Sequence, residues 1–326
     1  MGPSTENFIK KFHKQSKLGN GDPRLSVLNR LLSLITMIKL PNFMNMKHLF
    51  FQRFKSHREL DTMSIFYLGG VNVMSNFKAG KINKHILHSN ILERDVTLSV
   101  YLPEDYSELF KYQVIICFDG LDFLRFGRLQ REYERLRRED EIQRAIIVGF
   151  HYEDVDKRRE EFHPQGSRSQ KTVQAVGKEL LPFIDHTFPT YKVGNARILM
   201  GDSLAGSIAL LTALTYPTIF SQIAMLSPHS DATVIDKFNH CLQYNELSIW
   251  HAIGLEEEDF ALPTTGERAN FLTPNRALAD VIKDKGVTYH YLEFEGGHNW
   301  KSWKPLLPDV LTYFLGDEVT SPSDEV

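Results

Sequence analysis

Two cysteines in 326 residues are too few for a disulfide framework, so the fold does not depend on an oxidising compartment. Cys117 falls in an apolar strand pattern and Cys241 in a helical one, which predicts buried free thiols. No Cys/His spacing makes a zinc-ligand set, and no glycine-rich loop ends in Gly-Lys-Ser or Gly-Lys-Thr. Neither a structural metal nor a nucleotide is therefore implied, and no cofactor is expected. Net charge is also nearly absent. The 38 Lys and Arg residues face 41 Asp and Glu residues, leaving −3 with the two signs mixed, which gives no footprint for nucleic acid. The basic stretch Arg125–Arg138 has Glu132 and Glu134 interleaved and Glu139 following, the pattern of a solvated helix face. Long apolar runs are missing too. Leu31–Ile38 is apolar but short, flanked by Arg30 and Lys39, and no small-residue cleavage site follows it. No integral membrane segment is expected, and the chain reads as cytoplasmic. There is no internal repeat and no low-complexity tract.

With 42% hydrophobic residues, the chain can bury a substantial core. Its expected organisation is a basic N-terminal extension over residues 1–73, a catalytic domain over 74–316 and an acidic disordered tail over 317–326. Within the central part, strand-like runs occur near Ile82–His88, Val96–Leu102, Gln113–Phe118, Arg144–Phe150, Arg197–Gly201, Gln222–Leu226, Ser248–Gly254 and Thr288–Phe294. Helical patterns fall near Gly127–Glu139, Gln170–Thr187, Ser203–Tyr216, Asp231–Tyr244, Asn275–Lys285 and Leu306–Leu315. Their alternation predicts an α/β fold with a mostly parallel, doubly wound sheet flanked by helices.

The densest chemical signal is Arg197-Ile-Leu-Met-Gly-Asp-Ser-Leu-Ala-Gly206. An apolar strand stops at Gly201-Asp202-Ser203, and an Ala/Leu-rich helix starts at Leu204 and ends before Pro217. A serine on so tight a strand-to-helix turn needs small residues two positions away on either side, and Gly201 and Ala205 meet that need. Such an elbow lifts the serine Oγ off the sheet edge. It also leaves the Leu204 N–H at a helix N-terminus, where it can face an oxyanion.

Two further segments complete the order serine, acid, histidine that this elbow demands. Ser248–Gly254 is an apolar run followed by the acid cluster Glu256, Glu257, Glu258 and Asp259. Thr288–Phe294 leads into Glu295-Gly-Gly-His298. Each feature alone has a plainer explanation: an N-cap for Ser203, a solvated turn for the acids, a surface loop for His298. All three in the required order, each at a strand terminus, favour the catalytic reading.

From about Phe77 to Leu315 the chain resembles the putative-esterase family of α/β-hydrolases, which includes esterase D, the enterochelin-type siderophore esterases and the mycobacterial mycolyltransferases. The resemblance lies in Leu98-Ser-Val-Tyr-Leu-Pro103, Cys117-Phe-Asp-Gly-Leu-Asp-Phe123, Ala145-Ile-Ile-Val-Gly149 and Glu179-Leu-Leu-Pro-Phe-Ile-Asp185. It continues in Gly201–Gly206 and in Gly296-Gly-His-Asn-Trp300. It implies Ser203 as nucleophile, His298 as base and, from the family's spacing after Gly254, Glu257 as the acid. It further implies a second oxyanion donor, the Leu121 N–H, from the Asp119-Gly120-Leu121 turn, with Gly120 permitting the turn. Asp119 reads as a structural or substrate-contacting group.

Two loops are expected to shape a substrate site. Tyr152–Gly166 carries Arg158, Arg159 and His163, which either bind an anionic substrate or pair with a nearby acid. Phe260–Pro274 reads as a lid or a surface connection. Trp300 and Trp303 either wall an acyl pocket or pack ahead of a helix. The expected activity is hydrolysis of a small-molecule carboxylic ester through an acyl-enzyme. The alternatives are acyl transfer to an alcohol and a catalytically silent binding protein on the same fold.

Overall fold

The structure is a computed structural model that describes residues 80–262 and 265–316. The expected extension over 1–73, including Leu31–Ile38, and the expected tail over 317–326 lie outside the described residues. The eight strand-like runs of the sequence all become strands of one sheet. They are β1 (Lys81–Ser89), β2 (Arg94–Leu102), β3 (Gln113–Phe118), β4 (Ala145–Phe150), β5 (Arg197–Asp202), β6 (Gln222–Leu226), β7 (Ser248–Gly254) and, after a short pair β8 (Phe260–Ala261) and β9 (Arg268–Ala269), β10 (Thr288–Phe294). The order across the sheet is β1-β2-β4-β3-β5-β6-β7-β10. The first two strands run antiparallel, and the six from β4 to β10 are parallel.

Every residue of β3, β4 and β5 is buried, which explains why their sequences are continuous apolar runs rather than alternating ones. Helices cover both faces: α1 (Leu129–Arg138), α2 (Val155–Phe162), α3 (Ser169–Ala175), α4 (Leu181–Thr187), α5 (Leu204–Thr215), α6 (Ala232–His240), α7 (Leu272–Asp284), α8 (Trp300–Trp303) and α9 (Leu307–Leu315). One core joins β2, β3 and β4 to α3, α4 and α5 through residues such as Phe118, Phe150, Leu180 and Ile208. The other joins the opposite face to α1 and α9 through Tyr133, Leu136, Trp250 and Leu311.

From β3 the chain moves outward to β4 on one side, and from β5 outward to β6 on the other. The carboxyl ends of β3 and β5 therefore flank the point where strand order reverses, which opens a crevice in such sheets.

Several expectations change. The loop Tyr152–Gly166 contains a helix, α2, started by Asp154 accepting the Lys157 N–H at 2.8 Å. Cys241 is the residue after α6 rather than part of it, although both cysteines are free and buried as expected. Helix α1 is not purely a solvated face, since Leu129, Tyr133 and Leu136 are buried and Glu134 turns inward to accept the Tyr101 hydroxyl. No helix among the described residues is long and apolar enough to cross a membrane.

Candidate active site

Ser203 sits between β5 and α5 with φ 53° and ψ −125°, a strained conformation for a residue with a side chain. The turn is held from three sides. The Ser203 N–H donates to Leu226 O at 3.0 Å, and Ser203 O accepts from Gly206 at 3.1 Å and from His229 at 3.1 Å. A Cβ on Gly201 would lie 2.1 Å from Ala205 O, so only glycine fits there. The Ser203 side chain makes no capping hydrogen bond, which removes the plainer N-cap explanation. Leu204 opens α5, where first-turn N–H groups have no intrahelical acceptor.

Of the acid cluster, only Glu257 turns inward. It is fully buried, whereas Glu256, Glu258 and Asp259 are exposed, and Asp259 is spent on Arg268. Glu257 Oε2 meets His298 Nδ1 at 2.6 Å, while Oε1 accepts the Ser227 hydroxyl at 2.6 Å and the Gly254 N–H at 3.1 Å. Ser227 in turn accepts the Trp303 indole N–H at 2.9 Å. The His298 ring stacks on Phe260 at 4.9 Å and meets the edges of Phe271 at 4.7 Å and Trp303 at 4.8 Å. The segment expected as a lid or connection thus supplies, through Phe260 and Phe271, two walls around His298.

Trp303, not Trp300, touches His298. Trp300 is half-buried against Phe123 at 4.8 Å, and a Cβ on Gly127 would lie 2.6 Å from its ring. On the other flank, His229 and His163 stand ring to ring at 4.7 Å, and His229 reaches Phe271 at 5.5 Å. Burial and then His163 push the His229 imidazole down to about 4, so it stands neutral beside the serine turn at neutral pH.

The Asp119-Gly120-Leu121 turn closes the crevice, but for a reason other than the one expected. The positive φ, 56°, belongs to Asp119, a residue type that tolerates it, and not to Gly120. Gly120 is required because its Cα presses on β4: a Cβ there would lie 2.1 Å from Gly149 Cα. The Asp119 carboxylate is buried and held by Arg158, so the arginine is the ion-pair partner of an acid rather than a free anion site. Arg159 is exposed. Sequence reasoning did not single out Ser227, whose part depends on the β6 end meeting β7 and carries no local mark.

Each of these groups follows a different parallel strand at its carboxyl end: the Asp119 turn after β3, Arg158 after β4, Ser203 after β5, Ser227 after β6, Glu257 after β7 and His298 after β10. Strand order, the serine elbow and this edge define an α/β-hydrolase. The family described as putative esterase matches residues 89–314. An uncharacterized protein of Bacillus subtilis (strain 168), YjcH, is 40% identical over 238 residues, covering 73% of this chain and 99% of the relative. The chain belongs to this esterase family and is a carboxylic ester hydrolase.

Solved structures share the fold at low identity. A ferulic acid esterase matches with a TM-score of 0.60 at 16% identity, over 74% of this chain and 98% of its own. The enterochelin esterase of Shigella flexneri matches with a TM-score of 0.60 at 18% identity, over 72% of this chain but only 57% of its own. An IroE-like serine hydrolase from Shewanella oneidensis gives a TM-score of 0.58 at 21% identity, over 72% of this chain and 79% of its own.

Proposed function

We propose that this chain hydrolyses a small-molecule carboxylic ester through Ser203, His298 and Glu257, with a covalent acyl-enzyme between the two half-reactions. The observation that carries the reading is the buried 2.6 Å contact between His298 Nδ1 and Glu257 Oε2 at the strand edge that bears Ser203 on its strained turn. Glu257 accepts the Nδ1–H, which fixes the tautomer that leaves His298 Nε2 free to take a proton. Ser203 Oγ attacks the ester carbon as its proton passes to Nε2. The bond to the leaving alcohol then breaks, and Nε2 returns the proton to that oxygen. Water attacks the acyl-enzyme with His298 again as base, and the Ser203 Oγ leaves and is reprotonated. The oxyanion of each tetrahedral intermediate takes hydrogen bonds from the Leu121 N–H, in the turn after β3, and the Leu204 N–H, at the start of α5, on the two sides of the crevice.

A fluorophosphonate probe followed by an ester chain-length panel tests the proposal. The probe is expected to label Ser203, and Ser203→Ala is expected to lower kcat by about four to six orders of magnitude. An adduct on Ser207, or hydrolysis surviving in Ser203→Ala, overturns it.

A further inference from the structure

Beside the serine turn lies a second cluster of ionisable groups with an uneven composition: three carboxyls, of which Asp119 and Asp202 are buried, and one guanidinium. Arg158 forks onto Asp119, its Nε 2.9 Å and 2.8 Å from the two carboxylate oxygens and its Nη2 on Oδ2. The guanidinium lies within 5.8 Å of the Tyr152 ring centroid and 5.9 Å of that of Phe162, which limits its freedom to move. Asp119 is the residue with positive φ that starts the turn, and its carbonyl accepts the Asp122 N–H at 2.8 Å. Its conformation therefore sets where the next N–H groups, Gly120 and Leu121, point.

Asp202, directly before Ser203, is buried, and its Oδ1 has no hydrogen-bond partner among the described residues. The groups acting on it are Cys117 and Asp119 from the end of β3, Asp122 from the turn that follows, Tyr152 after β4, and Arg158 from α2. Burial first, and then Asp119, push the Asp202 carboxyl well above the usual range, with Arg158 only partly opposing. A single cation already forked onto Asp119 gives a second buried carboxylate little support, so burial and Asp119 favour the neutral form of Asp202.

We propose that Arg158 is a positioning residue: its fork on Asp119 fixes the backbone that aims the Leu121 N–H at the oxyanion. This rests on the reading of Leu121 as an oxyanion donor. Asp202 is then a spacer that touches no substrate.

The test uses the full chain, a 4-nitrophenyl ester and a trifluoromethyl ketone that mimics the tetrahedral intermediate. Arg158→Lys keeps the charge but loses the fork. It is expected to lower kcat by about a hundredfold, the scale of one lost oxyanion donor, with KM within about threefold of wild type. Affinity for the ketone is expected to fall in step with kcat/KM. Asp119→Asn is expected to fall in the same direction. Asp202→Asn, which has the shape of a protonated acid, is expected to keep wild-type kcat and KM.

Wild-type kcat in Arg158→Lys overturns the proposal, as does a rise in KM alone, which marks a substrate contact. Asp202→Asn falling as far as Asp119→Asn also overturns it. Where Arg158→Lys does not fold, the Asp119→Asn and Asp202→Asn pair decides. Turnover that survives Ser203→Ala overturns both this proposal and the triad, whereas Ser203-dependent turnover with an unaffected Arg158→Lys overturns this one alone.

Discussion

Two buried carboxylates flank Ser203, and their surroundings solve the same problem differently. Glu257 is met by hydrogen-bond donors alone: the His298 Nδ1–H, the Ser227 hydroxyl and the Gly254 N–H. Among the described residues, no permanent cation touches it. Asp119 instead has a dedicated cation, Arg158, and crowds two further acids, Asp122 and Asp202. The difference is chemical. A carboxylate meant to stabilise an imidazolium formed only during reaction must not already be neutralised by an arginine. A carboxylate meant to hold a backbone turn benefits from a permanent, directional partner. The neutral-donor pocket suits a charge that comes and goes, and the salt-bridged pocket suits one that stays.

The largest effect that tests this contrast falls on the Glu257 side. Glu257→Gln keeps size and shape but lets an amide N–H face His298 Nδ1, which selects the wrong tautomer. A loss in kcat of about three to four orders of magnitude is expected. The same change at Glu256 or Glu258, or Asp259→Asn, is expected to leave kcat within about twofold, since exposed substitutions away from a site cost little. Steady-state kinetics on one ester checks all four. A near-wild-type Glu257→Gln with a damaged neighbour would move the acid to that neighbour.

An intermediate effect is expected one step further out. Ser227→Ala removes a donor to Glu257 and strands the buried Trp303 indole N–H. Leaving such a group unpaired costs about 1–3 kcal/mol of stability. Thermal unfolding is expected to register that loss in full. Activity at a temperature where the variant is folded is expected to fall by about tenfold, or about 1.4 kcal/mol of barrier. If stability is lost with no change in kcat, Ser227 holds Trp303 and not the acid.

The centre of the sheet was legible because parallel strands buried on both faces leave continuous apolar runs, and all eight runs became strands at nearly their expected bounds. Ser203 and His298 were singled out by small residues around a tight turn and by paired glycines after a strand, both local features. What stayed hidden is long-range. Helix α2 reads Val-Asp-Lys-Arg-Arg-Glu-Glu-Phe, so charged that no amphipathic period appears. Yet Arg158 and Glu161 point inward, Glu161 fully buried against Arg94. Buried ion pairs erase the pattern from which helices are read. Glu257 could not be told from its neighbours by the sequence pattern alone, because the direction of each side chain is set by the short 3-10 turn Leu255–Glu257 and by strand β10 beside it.

The smallest expected effect concerns a histidine outside the proposed triad, which contrasts with His298 in its surroundings. His251 on β7 is fully buried as a neutral imidazole: Asn275 Oδ1 lies 2.7 Å from Nε2, and the Tyr289 hydroxyl lies 2.8 Å from Nδ1. That pattern suits one tautomer, with Nε2–H donating to Asn275 and Nδ1 accepting from Tyr289. Burial pushes it down to about 4 from 6.5, with Asn275 opposing and Lys283 adding a small push downward. Between those values the unfolded chain binds a proton that the folded chain refuses, so stability falls as pH drops from 6.5 toward 4. His151 and His229, also lowered to about 4 by burial, add to the same slope. Replacing His251 with Gln is expected to reduce the slope of unfolding free energy against pH in this window by up to about 1.4 kcal/mol per pH unit, one proton's worth, whatever it does to absolute stability. Denaturant melts at half-unit pH steps measure that slope directly. An unchanged slope would mean that His251 is protonated in the folded protein, and the Asn275–His251–Tyr289 hydrogen bonds would then need reassigning.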